Sequence, residues 1–207
     1  YDLSLGREFS FFSMMIGIKK RVGFDYKGRG LFLTQKRKLK GYAEKPVADI
    51  QLELLNDGRV DKPVALSLSL AVSDTAKSEA NAFLKKDGVQ DDRPILALAP
   101  GGGKSWGQNA KYKQWDAEYF ARVSNVLNKT HPHRVCFMGD RSEEGLLRQV
   151  QSLLETRTVM VAGESIPVVS ALLQKAWLLL CNDGGLLHLA DALGVKTVSI
   201  FGPVDEK

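Results

Sequence analysis

Short apolar runs alternate with amphipathic segments from about residue 93 to the end of the chain. The runs are typical of buried strands, whereas the segments between them carry apolar residues at helical spacing. Ser165 with Pro167 in the first turn, and Gly194, are helix start and stop signals. The predicted order is strand 94–100, helix 115–127, strand 134–139, helix 143–154, strand 158–163, helix 165–176, strand 177–183, helix 185–194 and strand 196–203. This alternation predicts a doubly wound α/β domain, a parallel sheet covered by helices on both faces.

The first 92 residues do not repeat this pattern. We expect short strands within 19–34, a helix over 44–55, an extended stretch over 64–72, and a helix over 73–86 capped by Ser73 or Asp74. We predict a partial N-terminal domain over 1–62, a connector with a helix over 63–92, and a C-terminal domain over 93–207. Apparent structure begins directly at Tyr1, and the chain stops soon after a predicted strand, so we expect a chain shortened at both ends.

A glycine-rich loop follows the first strand of the regular region. Ligands of doubly wound sheets bind beyond the carboxyl ends of the strands, which selects the loops 100–113, 139–143, 163–165, 182–186 and 202–205. The first loop holds three consecutive glycines before Lys104 and Ser105, which is typical of a phosphate-binding loop. A nucleotide-hydrolysing P-loop would need glycine where Leu98 stands and a helix directly after the serine. The G-x-G-x-x-G pattern of dinucleotide sites is also absent from the sequence, so both classes are disfavoured.

The loop after the fourth strand of that region carries Asp183, Gly184 and Gly185, directly before a predicted helix. Glycines let the backbone approach a ligand closely. The N–H groups and the dipole of a helix N-terminus suit an anionic oxygen. His188 lies within that helix. Two purely structural interpretations stay open at this point: Asp183 is only the N-cap of the helix, and His188 is a buried core residue.

The composition is that of an ordinary globular protein, with 44% hydrophobic and 26% charged residues. Three histidines without metal-ligand spacing make a zinc site unexpected. No run approaches the roughly 20 apolar residues of a membrane span. Cys136 and Cys181 lie inside apolar runs, which favours buried, reduced thiols in a cytoplasmic protein over a disulfide or a metal pair.

The net charge of +5 is concentrated near the start of the chain. The segment 19–40 contains one acidic residue, Asp25, and nine basic ones: Lys19, Lys20, Arg21, Lys27, Arg29, Lys36, Arg37, Lys38 and Lys40. Such a cluster attracts an anionic membrane surface, a phosphorylated substrate or nucleic acid, or it is only a solvated face. No helix-turn-helix, zinc-finger or base-stacking pattern accompanies it, so we expect no nucleic-acid partner.

Three segments together resemble the ADP-heptose lipopolysaccharide heptosyltransferase family. They are PILALAPGGGKSWGQNAKYKQWDAEYFARV, VCFMGDRSEE and VAGESIPVVSALLQKAWLLLCNDGGLLHLADALGVKTVSIFGPVDE. The last is the most specific, because it follows the family pattern D-[ST]-G-x-x-H-[LI]-A-x-A-[LF]-G…FGP-[TV]-D almost throughout. Lys113-Gln114-Trp115 matches a Lys-x-Trp element. The resemblance covers residues 94–206, and RVGF at 21–24 is the best match to the family's N-terminal domain.

The resemblance implies a GT-B fold with two Rossmann-like domains, of which the C-terminal one holds a nucleotide sugar. It implies transfer of a heptose from ADP-heptose to the inner core of lipopolysaccharide, inverting the anomeric carbon without a metal or another cofactor. The basic segment then suits peripheral contact of a cytoplasmic enzyme with the anionic inner membrane. Two alternatives stay open: a GT-B transferase of another nucleotide sugar, and a truncated or degenerate nucleotide-binding module without catalysis.

The glycine loop supplies the first group of substrate-binding residues that the resemblance implies. Lys113 would neutralise the diphosphate, with help from the polar side chains of Ser105 and Asn109. Lys111 competes for the same role, and Lys113 is preferred because of its spacing to Trp115.

The remaining implied residues follow the later strands. Glu143 would accept hydrogen bonds from the ribose hydroxyls, and Glu164 would lie at the edge of the adenine. Asp183, Gly184 and Gly185 would meet the sugar and the diphosphate. His188 would stand behind them.

Two departures from the family pattern change what we expect. Gly184 stands where the family usually has Ser or Thr, which removes one hydroxyl donor. The family's catalytic base, an aspartate early in the N-terminal domain, is expected to lie before Tyr1, since Asp2 and Asp25 stand in the wrong context. Losing a general base costs about 10²–10⁴-fold in rate, so we expect this chain to bind ADP-type ligands without turnover.

Overall fold

The computed structural model describes residues 1–41, 47–52, 54, 68–89, 93–102, 112 and 114–202. They form two compact units, one holding the described residues up to 54 and the other those from 68 onward. The predicted boundaries after residues 62 and 92 fall outside the described ranges and stay predictions. None of the helices within these ranges is both long and apolar enough to cross a membrane.

The second unit is built on a five-stranded parallel sheet, as the alternating pattern predicts. Its strands run in the spatial order β5-β4-β3-β6-β7. Their bounds are β3 Ile95–Ala99, β4 Arg134–Gly139, β5 Thr158–Ala162, β6 Ala176–Asn182 and β7 Thr197–Ile200. The register sets Leu98 of β3 opposite Phe137 of β4 on one side and Leu180 of β6 on the other. Strand β3 is buried along its whole length, which explains its unbroken apolar sequence.

Helices cover both faces of this sheet. One face carries α3 Asp74–Lys86, α6 Ile166–Leu173 and α7 Gly185–Ala192, and the other carries α4 Ala117–Thr130 and α5 Glu144–Ser152. Each face encloses its own buried apolar cluster, which contains Leu172 on the first and Phe120 on the second. Helix α3, which was predicted within the segment 63–92, packs in the second unit against the same cluster as α6.

The helix boundaries follow local sequence signals. The Ser73 hydroxyl accepts a hydrogen bond of 3.2 Å from the Ala76 N–H, so Ser73 rather than Asp74 caps α3. Ser165 precedes α6 as predicted, although its side chain makes no capping bond there. Gly194 has φ 69°, the left-handed conformation that glycine adopts readily just beyond a helix end. The predicted helix over 143–154 is preceded by a 3₁₀ turn, Arg141–Glu143.

The first unit contains a short parallel sheet and two helices. Its elements are α1 Glu8–Met15, β1 Val22–Tyr26, β2 Gln35–Leu39 and α2 Val47–Leu52, with β1 paired to β2. Val22, Phe24, Ile50 and Leu54 form its buried cluster. Strand β1 and helix α2 lie within segments predicted to be strand and helix. Helix α1 and strand β2 were missed, because one is apolar without a helical period and the other reads QKRKL.

Both cysteines are buried and neither forms a disulfide, in agreement with the prediction of reduced thiols. Burial, with a smaller contribution from the negative charge of Asp87, raises the pKa of the Cys136 thiol from 9.0 to about 12. Burial likewise raises the pKa of Cys181 to about 11. At alkaline pH the unfolded chain therefore loses thiol protons that the folded chain keeps.

The Cys136→Ala variant should reveal this linkage. Between about pH 9 and pH 12 the wild-type free energy of unfolding should fall faster than that of the variant. The difference should approach about 1.4 kcal/mol per pH unit, because only the unfolded thiol ionises there. Urea unfolding at pH 8, 9 and 10 measures this difference. A stability difference that stays constant with pH would contradict it.

Candidate functional site

A pocket of about 360 Å³ opens at the carboxyl ends of β3, β4 and β6. Strand β3 contributes Ala99 and the following Gly101, β4 contributes Met138 and Gly139, and β6 contributes Asn182. The strand order reverses between β3 and β6 because the chain first builds outward to β5 and then returns to the other side of β3. Doubly wound sheets bind ligands at this reversal, and the volume falls within the range of small-molecule sites, roughly 300–1,000 Å³.

Glu143 is held at the pocket by the backbone around it. Its Oε2 accepts a hydrogen bond of 2.9 Å from the Asp140 N–H, as half of a capping box. A Cβ on Gly101 would collide with the Glu143 carboxylate, and one on Gly139 would lie 2.9 Å from Oε2. The carboxylate therefore lies against two glycines, at the ends of two adjacent strands. The spacing between Gly139 and Glu143 allows this because one 3₁₀ turn brings Glu143 back over the strand end.

The end of β5 forms the rim beside Glu143. Gly163 has φ 73°, and its N–H donates a hydrogen bond of 2.9 Å to the Gly139 carbonyl. The Arg141 side chain occupies the space where a Cβ on Gly163 would lie. Glu164 follows directly and lines the pocket, although it is exposed. Glycine at position 163 thus lets the chain turn and lets Arg141 approach.

The N-terminus of α7 forms another edge of the pocket. Gly184 is the N-cap residue and Gly185 is the first residue of the helix, so no side-chain cap bond is made there. Both residues line the pocket. Gly184 is extended, with φ −179°, and a Cβ there would lie 3.9 Å from the Gly102 carbonyl oxygen. The position therefore has room for a larger residue, and the first N–H groups of the helix lie beside the pocket.

An apolar wall completes the pocket. It is formed by the β4 residue Met138 and by side chains from α6 and α7: Ile166, Val169, Leu186 and Leu189. The polar lining groups thus lie near the strand ends, and most of the apolar ones lie on the two helices. A ligand with one flat apolar part and one hydroxylated or anionic part matches that division.

The structure brings four of the predicted residues together at this pocket, namely Glu143, Glu164, Gly184 and Gly185. Asp183 is the half-buried neighbour of Gly184, and its N–H donates to the Ile200 carbonyl at 3.0 Å. His188 is exposed on α7 and lies outside the pocket wall, so the structural interpretation of a buried core histidine is wrong. Ser105, Asn109 and Lys113, together with the competing Lys111, lie outside the described residues.

Two polar lining residues were not predicted from the sequence, Asp140 and Asn182. Asp140 accepts hydrogen bonds from the Ser142 N–H and hydroxyl at 2.9 and 2.6 Å. The signal for Asn182 was present, because a buried strand that ends in an amide side chain needs partners for it. In the part of the chain that the structure describes, no three His, Cys, Asp or Glu side chains are grouped so that they could hold a metal ion.

Comparison with known protein families shows which family this chain matches. The family model described as glycosyltransferase family 9 (heptosyltransferase) matches residues 8–207. Lipooligosaccharide heptosyltransferase 2 of Campylobacter jejuni serotype O:2 is 32% identical over 120 residues, which are 56% of this chain and 35% of that protein. The Haemophilus influenzae protein of the same name is 26% identical over 126 residues, 58% of this chain and 35% of its own. The matches thus span about a third of these relatives.

Solved structures share the fold. A glycosyltransferase family 9 protein from Veillonella parvula superposes with a TM-score of 0.80 at 20% identity, over 95% of this chain and 55% of that one. The E. coli ADP-heptose LPS heptosyltransferase II gives 0.71 at 21% identity, over 98% and 62%. E. coli heptosyltransferase WaaC with ADP-2-deoxy-2-fluoro heptose gives 0.65 at 18% identity, over 97% and 60%. These likenesses confirm the predicted GT-B-type fold class.

Replacing Gly101 by alanine should displace the Glu143 carboxylate from the Asp140 N–H. We expect this variant to be less stable than Gly145→Ala, its matched control, by about 1 kcal/mol or more. Gly145 lies in α5 with nothing within 4 Å of an added Cβ, so alanine there should stabilise the helix. The cost of Gly101→Ala should disappear in a Glu143→Ala background. Urea unfolding of the wild type, Gly101→Ala, Glu143→Ala and the double variant measures this coupling, and equal costs in both backgrounds would contradict the contact.

Proposed function

Because the chain belongs to glycosyltransferase family 9 (heptosyltransferase), we propose that its second unit binds ADP-heptose. We propose further that the protein transfers the heptose to the inner core of lipopolysaccharide, inverting the anomeric carbon. The observation that carries the proposal is the Glu143 carboxylate against Gly101 and Gly139, in a pocket at the reversal of the strand order. A carboxylate beside an apolar wall can bind both parts of a nucleoside.

The nucleoside is proposed to lie between Glu143 and the apolar wall. Met138, Ile166 and Val169 provide apolar contact for a flat base, and Glu164 at the rim lies at its edge. The ribose hydroxyls would then donate to the Glu143 carboxylate. Hydrogen bonds to an ionised acceptor are roughly twice as strong as neutral ones. Because the Asp140 N–H already holds one oxygen, this carboxylate is oriented before the ligand arrives.

The diphosphate is proposed to lie at the N-terminus of α7. Gly184 and Gly185 present backbone N–H groups without a side-chain cap, and the positive end of the helix dipole favours an anion there. Lys113 would neutralise the diphosphate, assisted by Ser105 and Asn109. Asp183 is proposed to meet the sugar and the diphosphate together with the two glycines, and His188 to stand behind them.

This arrangement has a direct consequence for catalysis. When the bond between the heptose and the β-phosphate breaks, negative charge develops on the leaving ADP. A fixed ammonium group and helix N–H groups can stabilise that charge electrostatically. The proposal therefore needs only the nucleotide-sugar donor and the lipopolysaccharide acceptor, with no metal ion or other cofactor. We assign no residue of this chain as the base that takes the proton from the acceptor hydroxyl.

The contact between Glu143 and the ribose can be tested with a double cycle of protein and ligand changes. We expect isothermal titration to show ADP binding to this chain. Removing the ribose hydroxyls, as in 2′,3′-dideoxy-ADP, should weaken binding about tenfold or more in the wild type, since hydrogen bonds to charged groups contribute about 1.5–3 kcal/mol. In Glu143→Gln the two ligands should differ much less.

Glu144→Gln is the matched control, because it makes the same charge change one residue away. Glu144 pairs with Arg148 at 2.6 Å on α5 and does not line the pocket, so this variant should bind both ligands as the wild type does. A panel with UDP and GDP separates the ADP-sugar assignment from a transferase of another nucleotide sugar. No binding of any nucleotide would overturn the proposal.

We also propose that the protein works in the cytoplasm and contacts the inner leaflet of the inner membrane through its basic segment. All of the nine basic residues in 19–40 except Arg21 are exposed. Arg21 is half-buried, and its Nε donates to the Phe32 carbonyl at 2.6 Å. Long cationic side chains on one segment attract an anionic surface, and the attraction falls with ionic strength.

The double variant Lys36→Glu and Lys38→Glu tests this contact. We expect wild-type protein to sediment with anionic vesicles of phosphatidylglycerol but not with neutral phosphatidylcholine vesicles, and to be released by salt. The variant should sediment less with the anionic vesicles. Lys85→Glu with Lys86→Glu, exposed at the end of α3, makes the same charge change in the other unit and should have a smaller effect. Sedimentation that ignores lipid charge would exclude the contact.

A further inference from the structure

Asn182, the last residue of β6, joins two distant points of the chain. Only 2% of its surface is exposed. Its Nδ2 donates a hydrogen bond of 2.6 Å to the Pro100 carbonyl, and its Oδ1 accepts one of 3.1 Å from the Trp115 N–H. Pro100 directly follows β3, and Trp115 lies two residues before α4. One side chain therefore bonds both ends of the connection between β3 and α4.

An amide is the side chain that this position requires. The Pro100 carbonyl needs a donor and the Trp115 N–H needs an acceptor, and the carboxamide offers one of each at a fixed separation. An aspartate would bring a second acceptor against the Pro100 oxygen, whereas a serine hydroxyl is a single atom that cannot span both partners. Since the two partners differ in type, they also fix which end of the amide carries nitrogen.

The bonded loop ends lie at the pocket. Gly101, directly after Pro100, lines the pocket together with Asn182 and touches the Glu143 carboxylate. The Gly102 carbonyl oxygen would lie 3.9 Å from a Cβ placed on Gly184, at the N-terminus of α7. The Asp140 N–H holds the Glu143 carboxylate independently of this bridge, so the position of Pro100 acts mainly on how the start of the loop meets the N-terminus of α7.

We propose that Asn182 is a positioning residue for the diphosphate of the nucleotide sugar. By bonding Pro100 and Trp115, it fixes the start of the connection between β3 and α4, including Gly102 beside the N-terminus of α7, and its end before α4. This inference rests on the proposed function, because it concerns the same ligand. It differs from a purely structural role, since its loss should act on the phosphate end of the ligand and not on the nucleoside.

Asn182→Ala tests the inference, with ADP and adenosine as two probes. We expect the Kd for ADP to rise about tenfold or more, because the start of the loop is no longer fixed beside the N-terminus of α7. The Kd for adenosine should change less than about threefold. A tenfold change in Kd corresponds to about 1.4 kcal/mol. Hydrogen exchange of the Trp115 amide, followed by NMR without any ligand, should show lost protection in the variant. Asn182→Ser, which can keep one of the two bonds, should give a smaller change in the same direction and serves if the alanine variant does not fold.

Asn125→Ala is the matched control. The Asn125 side chain makes the same two-bond bridge, donating to the Leu153 carbonyl at 2.9 Å and accepting from the Glu155 N–H at 3.0 Å. These partners precede β5 and do not line the pocket. Asn125→Ala should lower stability but leave the ratio of ADP to adenosine affinity unchanged. Equal losses for both probes in Asn182→Ala, or an ADP affinity that does not change, would overturn the inference.

The two proposals fail in different ways. If the wild type binds no nucleotide, the proposed function fails, and the hydrogen-exchange comparison still tells whether Asn182 holds Trp115. If the wild type binds ADP and the Trp115 amide stays protected in Asn182→Ala, the bridge is not what fixes the loop end. That result rejects the positioning role and leaves the proposed function intact.

Discussion

The return of the chain across β3 is the constraint on which the site depends. After β3 the chain builds outward through β4 to β5, and it then crosses to the other side of β3 to form β6 and β7. The helices that follow β3 and β6 consequently lie on opposite faces of the sheet. Their connections diverge, and a crevice is left where two adjacent strands end. The Asn182 bridge spans this crevice and ties the β3 side to the β6 side.

Small residues at the strand ends convert this crevice into a polar site. Gly101 and Gly139 leave no side chain between the backbone and the Glu143 carboxylate, and the Asp140 N–H bonds one of its oxygens. A carboxylate that is held in this way loses little freedom when a ligand binds, which lowers the cost of association. The same glycines leave the inward-facing Met138 in contact with the pocket. The polar Glu143 and the apolar Met138 thus line the same pocket.

The sheet of the second unit could be predicted from sequence because burial on both faces leaves long apolar runs that mark each strand. The position of the pocket was predictable because the alternating pattern selected the loops at the carboxyl ends of the strands, whereas Glu143 was implied by the family resemblance. Helix α1 could not be predicted, since its apolar residues, at positions 9, 11, 12, 14 and 15, are not confined to one helix face and are exposed in the structure. Strand β2 could not be predicted either, because its side chains are mostly basic and exposed and show no apolar alternation. It pairs with β1 through backbone hydrogen bonds. The role of Asn182 depends on Pro100 and Trp115, which lie 82 and 67 residues away, and local sequence holds no record of such contacts.

The charges around the pocket also favour one orientation of the proposed nucleotide. Among the described residues that line it, Asp140, Glu143 and Glu164 are acidic and none is Lys or Arg. Two like charges 4 Å apart repel by about 1 kcal/mol in water and by about 4 kcal/mol at the effective dielectric constant of a protein surface. A diphosphate beside these carboxylates would meet that repulsion more than once, whereas ribose hydroxyls there would donate to them. In the proposed complex the phosphates would therefore lie toward α7, where backbone N–H groups and the positive end of a helix dipole replace the acidic side chains.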